Sequence, residues 1–227
     1  MRILNLYAGI GGNRKLWGDE HEITAVEYKP EIAAIYHDFF PNDTMVVGDA
    51  HQYLLEHYRE FDFIWSSPPC PTHSKARFSS MVSEKEWVLD RYPAKYPAME
   101  LYQEIILLQT HFKGKFCVEN VIAYYTPLIQ PLEFERHYWW VNFALPGFNG
   151  SDNRGHTGSV PELSARKGFD LTKYKGVDKR LLLRNCVEPE LGKYILDWSQ
   201  KEWHHTKSLL AAQPSPTTAD VIGEPIK

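Results

Sequence analysis

Five short apolar runs, each closed by a glycine-rich, acidic or cysteine-bearing element, constrain this chain more than any other feature. Residues 3–7 read as a buried strand, followed by Gly9-Ile10-Gly11-Gly12 and a helix to about Trp17. Residues 23–27 read as a second strand ending at Glu27, and residues 30–39 as a helix opened by proline. A third strand, 44–47, ends at Gly48-Asp49, and a fourth, 61–65, at Ser66-Ser67-Pro68-Pro69-Cys70. Residues 98–112 place Leu101, Ile105, Leu108 and Phe112 at helical spacing, and a fifth strand, 116–119, ends on Glu119. Strands alternating with helices imply parallel pairing through right-handed crossovers, hence an α/β doubly wound sheet with helices on both faces. Ligands bind such sheets outside the carboxyl ends of the strands, so the five terminating elements predict one cleft.

The second half is less regular. Residues 138–145 read as an aromatic strand, 146–179 as loop, 188–204 as a helix, and 213–227, with three prolines, as a disordered tail. A length of 227 residues with 43% hydrophobic content suits one α/β domain with a packed core. The net charge of -4 counts against a sequence-blind nucleic-acid coat protein, which would be basic, but leaves room for an enzyme with a local basic face. The three cysteines form no Cys-x-x-Cys pair, so no metal is expected. No stretch approaches the roughly 20 apolar residues of a membrane span, and no secretory leader is visible. The expectation is a reduced, cytoplasmic protein of a bacterial or phage-infected cell.

The chemistry lies at the strand ends. Glycines after a strand let the backbone approach a ligand that a Cβ would exclude, although a plain tight turn uses them too. Glu27, 18 positions after Gly9, sits near the spacing at which an acid receives ribose hydroxyls. Asp49 could accept from an adenine amino group. Either acid by itself reads equally as an exposed turn carboxylate. Pro68-Pro69 stiffens the turn and aims the next side chain, so the Cys70 thiol is a candidate nucleophile. The alternative is a buried structural cysteine, which is how Cys117 reads inside its strand. Glu119, at the neighbouring strand end, could serve as an acid or hold a base edge, or cap the segment that follows.

These segments together resemble the cytosine-5 DNA methyltransferase family. The matching runs are Asn5-Leu6-Tyr7-Ala8-Gly9-Ile10-Gly11-Gly12, Val26-Glu27-Tyr28, Gly48-Asp49-Ala50 and Ser67-Pro68-Pro69-Cys70 with Ser74 beyond it. Val118-Glu119-Asn120-Val121, Glu135-Arg136-His137-Tyr138 and Arg184-Asn185-Cys186-Val187-Glu188-Pro189 follow in the family's order. The resemblance covers residues 1–143 and 180–200. It implies a Rossmann-like class I S-adenosylmethionine-dependent methyltransferase sheet, with a catalytic domain at 1–143, a reduced target-recognition segment at 144–180, a return segment at 181–212 and a tail at 213–227.

The resemblance also implies roles. Tyr7, Ala8, Gly9, Gly11 and Gly12 would line the S-adenosylmethionine, with Glu27 on its ribose, Tyr28 against its adenine and Asp49 on the adenine amino group. Ala50 and Pro69 would complete that lining, and Asn185, Cys186 and Val187 would close the methionine end. Cys186 stands where the family usually has serine. Cys70 would attack C6 of a flipped cytosine, Glu119 would bond N3 and the exocyclic amine, and Arg136 would help hold the base. Phe134 stands where the family often has a second arginine. Ser74, Lys75 and Arg77, on a loop expected to close over DNA, and Arg166 and Lys167 in the recognition segment would contact nucleic acid.

Only 41 residues separate Phe143 from Asn185, far fewer than the family's usual recognition region. A short or relaxed target sequence follows, or help from a partner subunit. Roles in restriction protection, phage DNA disguise or regulation all suit such an enzyme. Three rivals remain. An amino-group methyltransferase would place an aromatic residue where Cys70 stands. A tRNA cytosine-5 methyltransferase would share the fold and lack the large recognition region. A non-catalytic nucleic-acid-binding relative would have no use for both Cys70 and Glu119.

Overall fold

The computed structural model describes residues 1–75, 96–148 and 158–201. The expected mobile loop, including Arg77, and the tail at 213–227 therefore lie wholly or largely outside the described residues.

Seven strands form one sheet: β1 (Arg2–Leu6), β2 (Glu22–Glu27), β3 (Thr44–Val47), β4 (Phe63–Ser66), β5 (Lys115–Val121), β6 (Leu132–Phe134) and β7 (His137–Val141). Their order is β3-β2-β1-β4-β5-β7-β6. The first five pair in parallel, and β7 runs antiparallel to both β5 and β6. Burial on both faces of a parallel sheet demands near-continuous apolar runs. Accordingly Ile3, Leu4 and Leu6 of β1 and Phe63, Ile64 and Trp65 of β4 are fully buried. The result is a Rossmann-like α/β fold with the strand order reversing at β1/β4, the fold class that the sequence implies.

The α-helices among the described residues are α1 (Pro30–Phe39), α2 (Ala50–His57), α3 (Glu100–His111), α4 (Val160–Lys167), α5 (Lys179–Asn185) and α6 (Pro189–Ser199). One face of the sheet packs Leu4, Leu6, Ile64, Phe116, Val118 and Trp140 against α2 and α3. The other packs Ile3, Phe63, Trp65, Cys117 and Trp139 against α6. On that same side, Ala25 meets α1 and residues from α4 and α5. The helix expected before Trp17 is a single 3-10 turn, Asn13–Leu16. Gly192 on α6 lets this turn approach: a Cβ there would overlap the Asn13 backbone, and Trp17 donates its indole N–H to the Gly192 carbonyl at 3.1 Å.

Two sequence expectations are corrected. Residues 146–179 are not all loop, because α4 lies within them, opened by a Ser159/Glu162 capping box and closed by left-handed Gly168. Leu163, Phe169 and Leu171, together with Leu183 of α5, are buried against α1. At eight and seven residues, α4 and α5 are too short for periodicity to announce them. The aromatic strand also has a partner that the sequence did not reveal, since β6 pairs with it through a two-residue turn.

No helix among the described residues is long and apolar enough to cross a membrane.

Candidate active site

The carboxyl ends of β1, β2, β4 and β5 converge where the strand order reverses. After β1 the chain turns through three residues of positive φ: Tyr7 at 55°, Gly9 at 55° and Gly11 at 84°. Glu27, at the end of β2, clips this turn. Its Oε2 accepts from the Gly9 N–H at 3.0 Å and its Oε1 from the Lys29 N–H at 3.0 Å. Each oxygen keeps a second lone pair for another donor. Tyr28 beside it is 72% exposed, a large solvent-facing ring at the mouth of the cleft.

The three glycines differ in purpose. The Cβ position of Gly9 meets nothing within 4 Å, and the same holds for Gly48. A Cβ on Gly11 would overlap the rings of Phe40 and Tyr36, and one on Gly12 would overlap the Cys186 sulfur and the Val187 backbone. Gly9 therefore faces open space, whereas Gly11 and Gly12 allow α1 and residues 186–187 to press onto the turn. This corrects the expectation that all three stand open to a cofactor. Ala8 and Ala50 are buried, so only their backbones can reach a ligand. Asp49 caps α2, its Oδ1 accepting from the Gln52 N–H at 3.0 Å, and is otherwise exposed. Gly9→Ala tests the open position. Holding alanine at positive φ costs about 1–2 kcal/mol, a modest loss of thermal stability, while its methyl enters the cleft. If the S-adenosylmethionine that the sequence resemblance implies binds here, its affinity by calorimetry should weaken at least roughly tenfold, equivalent to about 1.4 kcal/mol. Unchanged affinity would mean that no such ligand occupies this position.

Tyr7 takes part in a network that sequence reasoning missed. Its hydroxyl donates to Glu104 Oε1 at 2.6 Å, Ser66 donates to Glu104 Oε2 at 2.6 Å, and His51 Nδ1 lies 3.1 Å from Oε1. Glu104, on α3, is fully buried. Burial, then the nearby Glu104 carboxylate, pushes the Tyr7 hydroxyl far above its ordinary range. The hydrogen bond to Glu104 raises the His51 imidazole. A signal did exist, since Glu104 interrupts the stripe of Leu101, Ile105 and Leu108 that packs on the sheet.

The Pro68-Pro69-Cys70 turn is held from below. The Asn120 side chain donates to the Pro68 carbonyl at 3.0 Å. The Cys70 carbonyl accepts from the His73 and Ser74 N–H groups at 2.9 and 3.1 Å. Pro69 is exposed and Cys70 is half-buried. Register places Ser66 opposite Val118, which brings Ser67 beside Glu119. Trp65 donates to the Ser67 oxygen at 2.8 Å, and Ser67 donates on to Glu119 Oε2 at 2.9 Å. Glu119 Oε1 faces His137 Nε2 at 3.6 Å. Burial, and next the charge of Glu119, push the Cys70 thiol up. Cys70 and Glu119 thus share one electrostatic environment. Cys117 is fully buried in β5, as expected of a structural cysteine.

Other expected residues fall elsewhere. Arg136 sits exposed at the β6–β7 turn, where it and Glu135 both have positive φ. Its neighbour His137, the first residue of β7, is the one that lies beside Glu119. Ser74 bridges to Ala123, and Lys75 is exposed. Lys167 is 1% exposed, pairs with Glu188 at 2.9 Å and donates to the Cys186 carbonyl. It braces the 186–188 segment and is closed to phosphate. Arg166 faces the same Glu188 at 3.5 Å. Asn185 ends α5, and Cys186 is buried, its thiol pushed up to about 12 by that burial.

The family model for C-5 cytosine-specific DNA methylases matches residues 1–93, which hold the glycine turn, Glu27, Asp49 and Cys70. No curated protein matches the chain significantly. Among solved structures, a DNMT2 mutant from Spodoptera frugiperda is 24% identical over 53% of this chain and 35% of its own, with a TM-score of 0.34. The methyltransferase EhMeth from Entamoeba histolytica is 14% identical over 53% of this chain and 38% of its own, with a TM-score of 0.34. TrmN from Thermus thermophilus is 12% identical over 53% of this chain and 33% of its own, again with a TM-score of 0.34. The matched part thus spans between 33% and 38% of each of these chains.

Proposed function

We propose, from the match of residues 1–93 to C-5 cytosine-specific DNA methylases, that this chain methylates C5 of cytosine in DNA through a covalent Cys70 adduct. The observation that carries the reading is Cys70 in the turn after β4 with Glu119 on the adjoining strand β5, Glu119 being fixed by Ser67 and its charge reaching the thiol.

The open ground at Gly9 and Gly48, flanked by Glu27, Asp49 and Tyr28, fits a nucleoside-bearing donor. S-adenosylmethionine, when bound, supplies an electrophilic methyl on a sulfonium. Glu27 would hold ribose hydroxyls with its free lone pairs, Tyr28 would stack on the adenine, and Asp49 would accept from the adenine amino group. Asn185, Cys186 and Val187 would close the far end, since 186–187 already press on Gly12.

Cytosine is a poor carbon nucleophile at C5. The Cys70 sulfur would bond to C6 and move the C5–C6 π pair toward C4 and N3. Glu119 would meet N3 and the exocyclic amine, where charge develops. The resting thiol is mostly protonated, so it must ionise as the base arrives. A stacked base cannot offer C6 to this sulfur, so the target is flipped or single-stranded. Lys75 and Ser74 lie where they would meet the strand beside it, with Arg136 at the rim.

The direct test incubates the full chain with tritiated S-adenosylmethionine and either duplex DNA or folded RNA, then identifies the product nucleoside. 5-Methyldeoxycytidine from DNA is the expected product. 5-Methylcytidine from RNA alone would move the substrate, and N4-methyldeoxycytidine or no product would overturn the chemistry.

A further inference from the structure

Glu119 has two oxygens, and the structure gives them different partners. Oε2 accepts from Ser67, whose oxygen is itself fixed by the Trp65 indole, so that side is a fixed neutral hydrogen bond. Oε1 faces His137 Nε2 at 3.6 Å. The other ring nitrogen, Nδ1, lies 2.9 Å from the Glu135 carbonyl oxygen. A carbonyl can only accept, so Nδ1 carries a hydrogen. Nε2 is therefore a lone pair when the ring is neutral and an N–H only when it is charged.

A bare lone pair 3.6 Å from a carboxylate oxygen is repelled, and a proton on His137 Nε2 or on Glu119 removes that repulsion. We propose that His137 is the positioning residue for Glu119: it holds the proton that Glu119 passes to N3 of the pyrimidine, in the place where sequence alone pointed to Arg136. The proposal rests on the cytosine reading of Cys70 and Glu119 and adds a residue to it.

The cycle balances. As the Cys70 sulfur bonds to C6, the C5–C6 π pair shifts through C4 toward N3. N3 takes a proton from Glu119, and His137 returns one to Glu119 from Nε2. After C5 takes the methyl, it loses its own proton to solvent, the C6–S bond breaks to restore the C5–C6 double bond, and the N3 proton goes back through Glu119 to His137. His137 lies at the start of β7, opposite Val121 on β5. Among the described residues, the titratable and charged groups around the pair include Glu119, Cys70 and Cys117 on the β4–β5 side and Glu135 and Arg136 at the hairpin tip, with the Trp139 ring beside the imidazole at 6.1 Å.

The pH profile separates this role from mere packing. Reaction would need a Cys70 thiolate and a charged His137 together. Rising pH supplies the thiolate and removes the imidazolium, so gains in one are cancelled by losses of the other and the single-turnover rate of the unaltered protein should level off. His137→Gln removes the cancellation. Its rate should fall about a hundredfold at low pH and then climb about tenfold per pH unit until the thiol itself ionises. Covalent trapping on 5-fluorocytosine DNA runs alongside. Trapping with parallel pH profiles overturns this proposal alone. No trapping by the unaltered protein overturns the cytosine reading, and this proposal with it.

Discussion

Cys70→Ala leaves a folded protein that forms no covalent adduct with 5-fluorocytosine DNA in the presence of S-adenosylmethionine. Fluorine at C5 cannot leave as a proton does, so a productive enzyme stalls with its sulfur on C6 and migrates as a protein–DNA band. Without the thiol no bond to C6 forms and C5 stays unreactive, so methyl transfer should fall by about 10⁴-fold or more. Cys70 is half-buried in a turn held by the Asn120 and Pro68 contact and by two N–H groups on its own carbonyl. None of these uses the sulfur, so the unfolding free energy should move by only about 0.5 kcal/mol. Cys117→Ser is the contrasting variant. It puts a hydroxyl at a fully buried strand position on the same face as Glu119 and should cost stability while keeping the adduct. An adduct that survives in Cys70→Ala but vanishes in Cys117→Ser would reverse the assignment.

The largest loss of stability should come from Asp43→Ala, immediately before β3. Arg14, in the 3-10 turn after the glycines, is 4% exposed. It reaches Asp43 through Nε at 2.8 Å and Nη2 at 3.1 Å, and Tyr36 of α1 donates to the same carboxylate at 2.8 Å. The guanidinium also stacks 5.0 Å from the Phe40 ring. Burial works against the Arg14 charge, and the hydrogen bonds and charge of Asp43 more than offset it, so its pKa is raised. Removing Asp43 leaves the buried cation with only the exposed Asp19, 3.2 Å from Nη2, as a counter-charge, which costs about 3 kcal/mol. For a domain of this size that is a fall of roughly 10 °C in Tm. Arg14→Met together with Asp43→Leu removes both charges and should recover at least half of the loss, because burying the pair has its own desolvation cost. Calorimetry on the three proteins decides it. A change below about 1 kcal/mol in Asp43→Ala would mean that water reaches Arg14 more freely than its burial implies.

These two outcomes bear on different parts of one layout. Arg14, Asp43, Tyr36 and Phe40 tie the glycine turn to α1, so the loop that would cradle a donor is braced by an ion pair that touches no ligand. Glu104 does the same on the opposite face of the sheet, joining Tyr7, Ser66 and His51 from three elements. Gly12 and Gly192 bring residues 186–187 and α6 against that turn.

The succession of β1 to β5 along the chain and their parallel pairing were legible in the sequence. Each rests on local information: apolar runs of strand length, turn residues that follow them, and alternation with helical spacing. Cys70 was legible because it closes the turn after β4, whereas the expected strand end at Glu119 is corrected: β5 continues to Val121 and Glu119 pairs with Trp139 inside it. What the sequence could not decide depends on which faces meet across the fold. Gly9 and Gly11 look alike in the chain, yet one faces open space and the other the rings of α1. Lys167 reads as a surface cation in a polar segment, and only the burial of Leu163, Phe169 and Leu183 turns it inward onto Glu188. Arg136 and His137 are adjacent, and the register of β7 against β5, a pairing between residues about twenty positions apart, selects which of them meets Glu119. Local propensity sets where a strand ends. Packing over long separations sets what that end faces, because burial free energy belongs to pairs of surfaces and is written in neither one alone.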